Sequence, residues 1–207
     1  MIALTSGLVY RRLKIHCQQQ SHLCRAVPNY IQLVNHDNAM LAGLIVLPGA
    51  ALGAVTGPFG GRLLDRFGAR RPVLVGVALN ILAVAGLASW ATGDLSNTAI
   101  VFLYLAFTVG GGLSFGNLMT SALASLPDTD NGDGNAILNT LQQFAGAVGT
   151  SVSSAIVAAS QANHVRPLDQ TTALGTQHAL LVLLFILLVE FTMAYWALPK
   201  DCYQHRL

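Results

Sequence analysis

Four stretches of the chain, Ala39–Gly60, Pro72–Gly93, Leu95–Pro127 and Gly134–Asn163, contain no Asp, Glu, Lys, Arg or His. A fifth, Thr176–Leu198, is interrupted only by His178 near one end and Glu190 within. The apolar residues run on instead of recurring at one-face helical spacing. A soluble helix bundle would need polar outer faces that these windows lack. A helix rising 1.5 Å per residue crosses a ~30 Å hydrocarbon core in roughly 20 residues. The pattern therefore predicts an all-α integral membrane protein. Its bundle covers residues 39–198, with about five transmembrane helices near 39–60, 72–93, 97–126, 134–161 and 176–198, followed by a tail at 199–207. Composition agrees: 53% of the 207 residues are hydrophobic and 10% charged, where soluble domains carry about 25% charge.

The few charges sit between the runs. Residues 61–71, GRLLDRFGARR, hold one aspartate and four arginines. With five alternating spans, this stretch, residues 128–133 and the tail share one side. That side holds Arg62, Arg66, Arg70, Arg71, Lys200 and Arg206, against Arg166 alone on the other. The positive-inside rule then makes it the cytoplasmic side and the protein a multi-pass component of the cell (plasma) membrane with a cytoplasmic C-terminus. Cys17, Cys24 and Cys202 are too few and scattered for a disulfide scaffold. The positive charges follow the apolar opening MIALTSGLVY, the reverse of a secretory signal.

Residues 1–38 break the scheme. Arg11, Arg12 and Lys14 also belong on the cytoplasmic side, yet the first full span must start from the other side near Asn38. The intervening CQQQSHLCRAVPNYIQLVNHDN is too polar to cross. A truncated or irregular N-terminal segment is expected here, the chain being a piece of a longer protein. His16, Cys17, His22 and Cys24 contain zinc-ligand types, but their spacing matches no usual zinc pattern. No nucleophile–base constellation, phosphate loop or carboxylate pair can be assembled elsewhere, so neither an enzyme nor a cofactor or metal site is expected. Nothing points to nucleic acid.

Inside the runs, small and polar residues follow helical spacing. Gly49, Gly53, Gly57 and Gly61 recur every four residues, a bare stripe that lets another backbone approach. Pro48 and Pro58 predict bends in that helix, and Gly110–Gly112 a flexible point in a later one. Ser114 and Asn117 fall near mid-membrane depth. Asn135, Asn139, Gln142, Gly146, Thr150 and Ser153 form a polar and small stripe that faces either another helix or a watery cavity. Glu190, the one acid inside a span, is a candidate proton site or a structural partner for an arginine.

Gly61, Leu63, Asp65, Arg66, Gly68, Arg70 and Arg71 resemble the G-x-L-x-D-R-x-G-x-[RK]-[RK] loop signature of the major facilitator superfamily. LPGAALGAVTGPFGGRLLDRFGARRPVLVG and GNAILNTLQQFAGAVGTSVSSAI resemble, more narrowly, the fourteen-span drug:proton antiporters of the QacA/EmrB type. The resemblance covers roughly residues 29–198 and implies that the five spans correspond to the last five of that family, with PNYIQLV left from an earlier helix. It implies that Gly61, Asp65, Arg66, Gly68, Arg70 and Arg71 form a cytoplasmic gating loop. It also implies that Ser114, Asn117, Asn139, Gln142 and Gln143 line a substrate pathway, while Asn80 and Glu190 lie outside the cavity. Many relatives carry a basic residue where Gln142 stands, so a role resting on that charge does not carry over.

The expected function is proton-coupled multidrug efflux by alternating access, with the proton gradient as energy source. Its partners are the lipid bilayer, a lipophilic small-molecule substrate and a missing N-terminal half, without which the chain is inactive. The alternatives are a non-transporting membrane protein docking onto a partner transporter half, a non-functional gene remnant, and a uniporter or symporter of the same superfamily. DNA sequencing of the locus, upstream and across residues 16–29, is expected to restore a longer open frame through a single corrected base. A clean start at Met1, with the protein present in membranes, would contradict it.

Overall fold

The computed structural model describes Leu23 and residues 26–67, 70–91, 96–123, 126–162 and 167–197. Among these, every regular element is helical. Leu23 and residues 26–33 are helical and are labelled α1. The long helices are α2 (Ala39–Phe67), α3 (Arg70–Trp90), α4 (Asn97–Leu123), α5 (Asn131–Gln161) and α6 (Leu168–Ala197), with a short 3-10 turn at Asp128–Asp130 before α5.

Two of the helices outrun their apolar windows. α2 continues through Arg62 to Phe67, two turns into the charged stretch, and α6 starts at Leu168, before the polar run TTALGTQ. Charge marks where the hydrocarbon ends, whereas a helix ends only where the backbone loses its partners or a glycine or proline intervenes. α2 runs through Pro48 and Pro58, and α4 through Gly110–Gly112, as single helices. Among the described residues three helical stretches are long and apolar enough to cross a membrane, Arg70–Trp90, Asn97–Thr120 and Leu168–Trp196. α2 meets the apolar criterion over the shorter Ala39–Gly53. α5 is 31 residues long but dilutes its apolar positions with the polar stripe.

α1 is regular structure inside the segment expected to be irregular. Its apolar residues explain this: Leu23, Val27, Tyr30 and Ile31 are buried against the bundle, and the Tyr30 hydroxyl donates to the Ala91 carbonyl at 2.9 Å. The chain turns at His36, whose φ of 56° is left-handed. Asn38 then caps α2, its Oδ1 accepting from the Leu41 amide at 2.8 Å. The Asn35 amide donates to Asn97 Oδ1 and Asn97 Nδ2 to Asp37 Oδ2, both at 2.6 Å. This rim ties the α1–α2 turn to the start of α4.

Packing does not follow chain order. α4 lies between α2 and α3, α6 packs on α3, and α5 packs on α6, while α2 and α3 barely touch. The spatial order is therefore α2–α4–α3–α6–α5, with α2 and α5 at its two edges. In lipid, helices associate through close packing because the tails are as apolar as the side chains. Bare backbone supplies that packing between α3 and α4. A Cβ on Gly76 would stand 2.6 Å from the Gly110 carbonyl oxygen, and one on Gly110 2.6 Å from that of Gly76. On the other side of α4, Gly49 leaves room for the Tyr104 ring, which a Cβ would meet at 2.5 Å.

Gly76→Ala must push two backbones apart and is expected to cost about 1–3 kcal/mol, read as a lower unfolding midpoint in detergent. Gly43→Ala, with nothing within 4 Å of the new Cβ, is expected to leave the midpoint unchanged. Equal midpoints for the two variants would refute the close approach.

Candidate functional site

The small and polar residues divide between two environments. The first is the α3–α4 contact. Asn80, near the middle of α3, is buried, and its Oδ1 points at Gly110 without a hydrogen-bond partner. One helical turn along α4, the Ser114 hydroxyl lies 2.9 Å from the Gly110 carbonyl and 3.5 Å from that of Val73. Ser114 is fully buried, so it belongs to the contact with α3. Asn117 is equally buried. Its Nδ2 donates to the Leu113 carbonyl, and its Oδ1 has no hydrogen-bond partner.

The second environment is the open edge of α5. Ala145, Gly149 and Ser153 are buried, and α6 is the main helix packed on α5. Gly175 of α6 comes so close that a Cβ there would stand 2.9 Å from the Val157 Cα, and Gln161 Nε2 donates to Thr172 at 2.8 Å. Gln142, Gly146 and Thr150 are half-buried, whereas Asn135, Asn139 and Gln143 are exposed. Asn139 Nδ2 reaches back to the carbonyl and the side-chain oxygen of Asn135, each at 3.0 Å. Exposed Ile137, Phe144, Val148 and Val152 share this helix. At about 100° per residue these apolar side chains lie on the side of α5 opposite Asn139 and Gln143, so the face of the polar stripe carries amides and hydroxyls, a surface suited to water or protein and unsuited to lipid tails.

The five residues expected to share a pathway are thus not brought together. Asn139, Gln142 and Gln143 lie along the open edge of α5, while Ser114 and Asn117 lie inside the bundle. Gly49 and Gly53 meet α4, at Tyr104 and Thr108. Glu190 is buried on the same stripe of α6 as Leu183, Leu187 and Ala194. Contacts of Tyr195 with Arg70 and of Gln177 with Ala88 fix the antiparallel alignment of α6 on α3, which sets Glu190 at the depth of Val75.

In the charged stretch, Arg70 and Arg71 open α3. The Arg70 guanidinium stands 5.2 Å from the centre of the Tyr195 ring and donates to the Tyr195 carbonyl at 3.4 Å. That carbonyl is in the last turn of α6, where intrahelical donors run out and a cation is favoured. Arg62 sits 5.6 Å from the Phe59 ring centre. Asp65 and Arg66 belong to the last turns of α2, but their side chains, the surroundings of Gly57 and Gly61, and all of Gly68 lie outside the described residues. His16, Cys17, His22 and Cys24 also lie outside them. Among the described residues no group of side chains is arranged to hold a metal ion.

The family model of the Major Facilitator Superfamily matches residues 23–150. The chain belongs to that superfamily. It is 37% identical over 135 residues to the lincomycin resistance protein LmrB of Listeria innocua, covering 65% of this chain and 28% of that protein. It is 31% identical over 179 residues to the LmrB of Bacillus subtilis, covering 82% of this chain and 37% of that one. A multidrug resistance protein B homolog of Mycobacterium tuberculosis is 32% identical over 143 residues, covering 67% of this chain and 26% of the homolog. The chain thus spans about a third of these curated relatives or less. Among solved structures, the inward-open xylose transporter XylE from E. coli superposes with a TM-score of 0.71 at 15% identity, covering 97% of this chain and 49% of that one. The fold is that of a superfamily transporter, and the protein is a multi-pass membrane protein related to drug-resistance transporters.

Tyr195 as a partner of Arg70 and the Asn80–Gly110 contact are not apparent from the sequence. An aromatic residue in the last turn of an apolar helix, and glycines at 76 and 110, were the available signals. Cysteine scanning distinguishes the two environments. Asn139→Cys and Gln143→Cys are expected to react readily with a small water-soluble maleimide in membranes, and Ser114→Cys to react at least tenfold more slowly. Comparable rates would contradict this division of the polar residues.

Proposed function

We propose that this chain is the C-terminal part of a proton-coupled multidrug exporter and that it works by alternating access. The observation that carries the reading is the open edge of α5, where Asn139 and Gln143 are exposed on a helix of transmembrane length. Amides on such a helix belong against protein or water. The relatives carry drug-resistance names and are more than twice as long, so there is room in them for a preceding half that covers this edge. Substrate would then pass between the halves, along Asn139, Gln142 and Gln143. The substrate would be a small-molecule drug, the class that the resistance names of the relatives point to.

The basic turn and the C-terminus would face the cytoplasm, by the positive-inside rule. There Asp65, Arg66, Arg70 and Arg71, with the turn glycines Gly61 and Gly68, would act as the gating loop between the two access states. Ser114 and Asn117 would act one layer behind the pathway, through the α3–α4 contact. Glu190 is the acid inside a span from which proton coupling within this half would be sought, although the driving gradient would act mainly through the preceding half.

The chain reconstituted alone, with an imposed pH gradient, is expected to move neither lincomycin nor a lipophilic cationic dye. Replacing the matching region of the Bacillus subtilis LmrB with residues 29–198 is expected to retain dye efflux, and Asn139→Ala plus Gln143→Ala in that chimera to lower it by about tenfold, the scale of about 1.4 kcal/mol in a barrier. Dye efflux by the isolated chain would overturn the dependence on a missing half. A chimera unaffected by the double substitution would overturn the pathway.

A further inference from the structure

We propose that α4 has a second, bent state hinged at Gly110–Gly112, and that Asn80 of α3 is the residue that stabilises it. The proposal does not rest on the transport reading. It starts from a buried side chain that the straight helices leave unused. Asn80 is 1% exposed, and its Oδ1 has no hydrogen-bond partner. That oxygen is aimed at α4: a Cβ on Gly110 would stand 2.3 Å from it. A buried polar atom left unpaired weights the equilibrium toward any state that pairs it, by about fivefold or more.

The helix it faces is weak at that level. Glycine lowers the weight of a helical residue about fourfold against alanine, and α4 carries Gly110, Gly111 and Gly112 in a row. Side chains of α4 also compete for its carbonyls one turn back. The hydroxyls of Thr108, Ser114 and Thr120 donate to the carbonyls of Tyr104, Gly110 and Gly116, and Asn117 Nδ2 donates to that of Leu113. Such back-bonding weakens and bends helices. Opening α4 at the glycines frees the amides of residues 110–112 and the carbonyls of residues 106–108, which in a membrane must find partners inside the protein. An asparagine side chain offers both an acceptor and donors, so Asn80 replaces both ends of a broken bond beside Gly110. The bare backbones of Gly76 and Gly110 bring the two helices close enough for this. On the N-terminal side of the glycines, Tyr104 and Thr108 hold α4 on Gly49 and Gly53 of α2. A bend therefore moves the C-terminal part, which carries Ser114 and Asn117. The Asn117 Oδ1 is likewise unpartnered in the straight helix.

Double electron–electron resonance on the full chain in proteoliposomes tests the hinge. Cys17, Cys24 and Cys202 are replaced by serine, and spin labels are attached at Phe102→Cys and Thr120→Cys, exposed positions on either side of the glycines. A straight helix separates their Cα atoms by about 27 Å. A second, shorter distance is expected in about a tenth of the molecules, the upper range of a minor conformer. Labels at Val75→Cys and Trp90→Cys on α3 are expected to give one distance. Asn80→Leu is expected to cut the short α4 population about fivefold. A residue that merely held α3 and α4 together would have the opposite effect when replaced. Asn80→Val, which is smaller, makes the same test if leucine overfills the contact. A single distance across α4 with Asn80 in place, or a short population that Asn80→Leu and Asn80→Val leave unchanged or enlarge, would overturn the proposal.

Discussion

The approach of two bare backbones at Gly76 and Gly110 is the contact on which the rest of the bundle depends. It sets the distance between α3 and α4, and α4 is the helix that holds α2, while α3 is the one that holds α6. Because lipid tails compete on equal terms with apolar side chains, length and hydropathy alone give no reason for these helices to meet. Shape does. The glycines remove the side chains that would keep the axes apart, and Asn80 and Ser114 then lie within the gap. The depth of Glu190 is set on the other side of α3, where Arg70 meets Tyr195 and Gln177 meets Ala88.

Much of this organisation can be read from the sequence, and the missing part has a physical explanation. Uncharged runs reveal which segments cross the membrane, since charge is excluded from hydrocarbon whatever the tertiary structure. They do not reveal where helices end: the helix containing Arg62 extends to Phe67, because a long cationic side chain can reach the headgroup layer while its backbone stays helical. α1 escaped attention because its apolar residues are set among glutamines, an arginine and an aspartate, and its order comes from Tyr30 and Ile31 packing on helices distant in sequence.

The polar residues show the same limit more sharply. Periodicity identifies the stripe from Asn135 to Ser153 as one face of a helix, yet the neighbours decide its use. The edge nearest α6 is consumed in packing at Gly149 and Ser153, and the shoulder at Asn139 and Gln143 remains open. Ser114 and Asn117 have the same chemistry as the α5 amides but lie on a helix enclosed by others. The partner of Arg70 was invisible for a related reason: its acceptor is a backbone carbonyl 125 residues away, which no side-chain pattern announces.

The interleaved packing order bears on how such a protein is made. α2 and α3 are consecutive in the chain but barely touch, and the surface that Gly49 and Gly53 prepare on α2 is matched only by Tyr104 and Thr108 of α4. As the chain leaves the ribosome, α2 therefore enters the bilayer with its mate still unsynthesised, and no helical hairpin forms to shelter it. α5 likewise waits for α6. Biogenesis must hold early helices loosely, in the translocon or in lipid, until later ones slot between them, so a ribosome that stalls between α3 and α4 leaves behind two inserted helices with almost nothing to say to each other.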